Sequence, residues 1–112
     1  MPEETYKRRL ILADGTVLED CECGYDSKSL WCFLKGISFS EAFQIFSGPD
    51  KFNKIIFELD YDTIIDRIIY TGIEQITSVV QRDDKVNVRL EGNHIESEQT
   101  REFRPRGSEG TP

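Results

Sequence analysis

Apolar positions recur every second residue along most of the chain and shift to a three-to-four residue spacing at one place, between residues 38 and 47. The stretch YKRRLILADGTVLEDCEC reads as a hairpin, with an apolar run ending at Ala13, the turn pair Asp14-Gly15, and alternation from Thr16 onward. In its second strand Val17, Glu19, Cys21 and Cys23 are expected on one face, because side chains two apart point the same way. A loop over 24–29 follows. LWCFL, residues 30–34, is apolar at every position, as expected of a central strand covered on both faces.

The change of period carries helix punctuation. Ser38 is placed to cap and Glu41, three residues on, to return the bond in a capping box. Phe39, Ala42, Phe43 and Phe46 form the apolar stripe expected to pack, and Gly48-Pro49 ends the segment, so one short helix is predicted over 39–47. KIIFELD then reads as a strand stopping at the polar Asp60-Tyr61-Asp62. TIIDRIIYTG fits both a helical stripe and a β-branched strand; strand is favoured over about 67–71. Gly72 marks a bend, after which IEQITSVVQ is expected to pair with KVNVRLE across RDDK. The predicted fold is α+β, a mostly antiparallel β-sheet or small open barrel with one short helix packed on it. Residues 1–91 are expected to form a single domain and residues 92–112 a flexible polar C-terminal tail.

A chain of 112 residues suits one domain whose core needs neither disulfides nor metal. It has no apolar run of about eighteen residues, and MPEETYKRRL lacks the apolar centre of a signal peptide, so it reads as soluble and intracellular, with no membrane partner. The net charge of −7 is unevenly placed, at +1 over residues 1–13, −7 over 14–66 and −1 over 67–112. That excess repels phosphates and argues against direct binding of nucleic acid. An acidic face that meets a basic partner is the sharper reading; a solvated surface is the plainer one.

Three cysteines fall within a dozen residues, but Cys21-x-Cys23 is a same-strand pair rather than a zinc spacing, and no C-x-x-C occurs. Cys21, Cys23 and Cys32 therefore read as small buried hydrophobes. His94 is the single histidine and lies where the tail is expected to begin, a poor place for a base that must hold a nucleophile. The densest carboxylate set is Glu58, Asp60, Asp62 and Asp66. Its spacing fails the EF-hand pattern, since Ile65 stands where that loop needs glycine and Thr71 where it needs glutamate. No metal or other cofactor is expected, and no catalytic residue. Trp31, Phe33 and Phe52 read as core. Tyr61, an aromatic between two aspartates, combines contact area with charge as interface residues do, so Glu58, Asp60, Tyr61, Asp62 and Asp66 are the candidate partner-binding set.

The pieces LILADGTVLEDC, LWCFLKGISFSEAFQIFSGPDKFNKIIFE and YTGIEQITSVVQRDDKVNVRL, within residues 10–91, resemble small uncharacterised proteins of phages, prophages and other mobile elements of Gram-positive bacteria. The likeness lies in the layout of elements and carries no catalytic signature. It implies a cytoplasmic protein of a bacterial host, incorporated into a phage particle if it is a structural part. The expected role is a non-enzymatic, protein-binding component of particle structure or assembly. The alternative is an acidic, anti-CRISPR-like inhibitor that occupies the basic channel of a host defence protein. In either case the partner is another protein, a particle component or a host factor.

Overall fold

The alternating segments fold as four successive hairpins that are dealt in turn to two sheets. The computed structural model describes residues 6–104. The first hairpin, β1 (Lys7–Ile11) with β2 (Val17–Glu19), turns at Asp14-Gly15 as the sequence predicts, with Gly15 at φ +93°. The second is β3 (Glu22–Tyr25) with β4 (Ser29–Lys35); the third, β5 (Lys54–Asp60) with β6 (Ile64–Thr71); the fourth, β7 (Gln75–Arg82) with β8 (Lys85–Glu91). A final strand, β9 (Glu96–Phe103), closes the described chain. Sheet A has the order β2-β1-β5-β6-β9 and sheet B the order β3-β4-β8-β7, with every neighbouring pair antiparallel. The fold is thus mainly β in two sheets, not a single sheet or a closed barrel.

The inner residues of both sheets, among them Leu10, Ile55 and Phe57 from sheet A and Leu30, Cys32 and Val88 from sheet B, belong to one hydrophobic core. Burying a side chain of this size stabilises by roughly 1.5–3 kcal/mol. The chain must therefore cross between sheets repeatedly, and each crossing has its own device. At Asp20, φ is +58°. This left-handed residue breaks the run that the alternation joins into one strand, so Val17 and Glu19 face solvent while Cys21 turns into the core. The four residues do not share a face.

The helices between β4 and β5 make a second crossing, and the last two lie back to back. Gly72, at φ +86°, leads from β6 to β7, and residues 92–95 lead from β8 to β9. A Cβ on Gly72 would stand 2.5 Å from the His94 carbonyl oxygen, and one on Gly92 would strike the Gly72 carbonyl oxygen, so both crossings need bare backbone. The last is pinned by Gly92 N–H to the Lys28 carbonyl at 3.1 Å and Ile95 N–H to the Ser27 carbonyl at 2.7 Å.

Helix α1 (Phe39–Ile45) forms with its capping box complete: Ser38 Oγ accepts from the Glu41 N–H and Glu41 Oε1 from the Ser38 N–H. It is shorter than predicted, and only part of its stripe packs. Ala42 and Phe46 are buried, whereas Phe39 and Phe43 lie on the adjoining, exposed stripe and meet edge to face at 4.9 Å. Pro49 does not merely end the helix. Its fixed φ starts a second one, α2 (Pro49–Phe52), at the first-turn position where a missing N–H costs nothing.

β6 begins at Ile64, three residues before the predicted strand. The predicted tail needs a larger correction. Residues 96–103 are β9, paired with β6 over eight consecutive positions, and only 105–112 of the expected tail lie outside the described residues. No helix among the described residues is long and apolar enough to cross a membrane.

Candidate functional site

The five residues singled out in the sequence straddle the β5–β6 hairpin, and the pairing register separates them. Glu58 and Asp60 point from the outer face of sheet A, while Asp66, opposite Leu59, belongs to the other face. Asp60 and Asp62 make the turn itself: Asp60 Oδ1 accepts the Asp62 N–H at 2.9 Å, and Asp62 sits at φ +80°. That hydrogen bond, more than Arg9 or Arg104, holds the Asp60 carboxyl below its ordinary value. Tyr61 folds back on the sheet with its ring 4.7 Å from that of Tyr6.

The carboxylates are matched by arginines on neighbouring strands. Glu58, largely buried, takes Arg9 Nη1 on Oε1 and Arg67 Nε on Oε2, each at 2.9 Å. Arg9 continues to Glu19 on β2, and Arg67 to Glu102 on β9, so one row of alternating charge crosses all five strands of sheet A. Each opposite-charge neighbour raises the guanidinium pKa, through Glu58 first at Arg9 and through Glu102 first at Arg67. On the opposite face Asp66 receives Arg101 at 2.7 and 2.9 Å, a bidentate bond that lowers its pKa. The cleft beside Tyr61 is lined by Lys7, Arg9 and Arg104 as well as Asp60 and Asp62. The cluster that reads as a concentrated negative patch in sequence is a balanced ion-pair lattice in space.

Cys21 and Cys32 are buried, and Cys23 lies opposite Cys32 across β3 and β4. Burial pushes the Cys21 thiol up to about 12, and the hydrogen bond with Cys32 together with burial raises Cys23. Since the thiolate is the reactive form, disfavoured at Cys21 and Cys23, and Cys32 is shut away from solvent, all three cysteines should label slowly with a thiol reagent at pH 8 and rapidly once the chain is unfolded in urea. Rapid labelling of Cys21 in the native protein would contradict this packing. Among the described residues no three His, Cys, Asp or Glu side chains converge as a metal would require, and His94 is exposed.

A different surface emerges on sheet B. The central strand β4 buries Leu30, Cys32 and Leu34 and turns Trp31, half-buried, and Phe33, exposed, to the other face. Register carries two rows across the sheet: Gly24, Trp31, Arg89 and Ser78 in one, Glu22, Phe33, Asn87 and Val80 in the other. The Arg89 guanidinium lies 5.4 Å from the Trp31 ring centre. Phe33 is 36% and Val80 42% exposed, and between them the Oδ1 of Asn87 is shielded from solvent without a hydrogen-bond partner. The apolar run at 30–34 predicts Trp31 and Phe33 in the core, and the structure turns both to the outer face; the sequence signal for this is the partner strand β8, where the polar Asn87 and Arg89 alternate with Val86, Val88 and Leu90.

Compared with known proteins, the chain matches no family model, no curated protein and no solved structure.

Proposed function

We propose that the chain is a non-enzymatic protein-binding module of phage or other mobile-element origin, a structural or assembly component of a phage-like particle. The observation that supports this reading is the outer face of sheet B. Trp31, Phe33 and Val80 with a stacked Arg89 combine the side chains that dominate interfaces, on a rigid sheet that needs no rearrangement to present them. A solvent-facing row of this kind has no role in the chain's own core. The inhibitor alternative draws less support, because Glu58, Asp60 and Asp66 are already paired with arginines of the same chain.

The test is a double variant, Phe33→Glu with Val80→Glu, expressed in a Gram-positive host whose prophage is induced. The wild-type chain is expected in density-purified particles and the variant absent from them, with thermal unfolding shifted by no more than about 4 °C, since both positions face solvent. Equal incorporation of wild type and variant would rule out this face, and absence of the wild-type chain from particles would rule out the assembly role.

A further inference from the structure

Two sheets have four edges, and three of them are poor templates for another strand. β2 has three residues and β3 four, while β7 carries a register break between Ile76 and Ser78. Short and bulged edges are how folds discourage strand addition. The fourth edge, β9, has eight residues in unbroken register with β6, no proline, and every residue exposed, so neither face of it is roofed by another layer.

Charge determines what fits this edge. Side chains alternate, so Glu96, Glu98 and Glu102 share one face with Thr100. Glu102 is bonded to Arg67; Glu96 and Glu98 have no ion pair among the described residues. On the opposite face Arg101 is already bound to Asp66, and Phe103, 70% exposed, stands at the strand's end. A second copy is a poor occupant. A two-fold axis places one residue of β9 against its own copy, and each register centred from residue 96 to residue 102 meets like charges, while centring on Phe103 aligns only the end of the strand. Centring on Ser97 opposes Glu96 to Glu98, on Gln99 Glu96 to Glu102, and on Thr100 Glu98 to Glu102. Centring on Glu98, Arg101 or Glu102 opposes that residue to itself.

We propose that β9 is a docking edge for an extended segment of a partner protein that carries basic residues at alternate positions, added as a further strand of sheet A. Backbone hydrogen bonds along the edge supply the attachment, and the carboxylate row supplies register and selects against acidic segments and against self-pairing. This surface is separate from the outer face of sheet B, and the inference stands or falls without it.

The test uses the full chain, isotope-labelled, titrated with a capped peptide of about eight residues alternating lysine and threonine, and with a second peptide carrying glutamate for lysine. The lysine peptide is expected to slow amide exchange at every second residue between 96 and 103 by tenfold or more, while the glutamate peptide leaves those amides unchanged. Glu96→Lys and Glu98→Lys should each weaken binding by about fivefold. The proposal is overturned if the lysine peptide perturbs other acidic surfaces and not β9, if both peptides act alike, or if β9 amides become protected through dimerisation of the chain alone.

Discussion

Replacing Glu58 by alanine is expected to lower the free energy of unfolding by about 2–3 kcal/mol, the largest effect of any single carboxylate in the chain. Removing one partner of a buried ion pair typically costs about 3–5 kcal/mol. The figure is reduced here because Arg9 and Arg67 keep part of their surface in water, with side chains 23% and 32% exposed. What makes Glu58 special is its position at the middle of the row, where a single carboxylate with a 10% exposed side chain accepts from two guanidinium groups on flanking strands. Its loss leaves both cations facing one another across β5. Arg8 and Glu22 form a 2.9 Å pair at the surface, and Glu22→Ala should cost no more than about 0.5 kcal/mol. Urea unfolding of the two variants, with unchanged slope, makes the comparison; equal midpoints would show that the row contributes no more than an ordinary surface pair.

The second large effect is expected at a glycine. Gly72→Ala should destabilise by about 3 kcal/mol or prevent folding, because the added carbon meets the His94 carbonyl and the left-handed φ adds its own penalty. Gly15→Ala separates the two contributions. Gly15 has a similar φ, +93°, but nothing within 4 Å of an added Cβ, so only the conformational cost of about 1–2 kcal/mol should appear. If the two substitutions cost the same, the close approach of the crossings is not what Gly72 serves.

These two sites mark how far the sequence could be read. Features governed by local chemistry were legible: the Asp14-Gly15 hairpin, the Ser38–Glu41 capping box, and the turn between β7 and β8, where Asp83 takes a positive φ. Features set by what lies across the sheet were not. β9 has no hydrophobic period because neither of its faces is buried, so a polar edge strand and a tail look alike in sequence. The β2–β3 break was hidden because a single left-handed residue, Asp20, changes sheet and face without interrupting the alternation. The run at 30–34 is apolar on both sides, which predicts burial on both sides; among the described residues Leu30, Cys32 and Leu34 are buried, while Trp31 is half-buried and Phe33 exposed. For the acidic cluster the register was the missing information. Arg9, Arg67 and Arg101 are distant from Glu58 and Asp66 in sequence or point elsewhere until the strands are aligned.

Dealing the hairpins alternately to two sheets also sets the order in which the molecule can be completed. Each hairpin closes from neighbouring residues, yet β1 lacks its second neighbour until β5 exists, β4 until β8, and β6 until β9. During synthesis the nascent chain therefore carries hairpins whose open edges wait for partners still to be translated; sheet B is whole only once residue 91 has emerged and sheet A only at residue 103. The last of the described strands to arrive is also the longest unbroken edge among them, so the step that completes sheet A creates the edge that the proposed partner segment would extend.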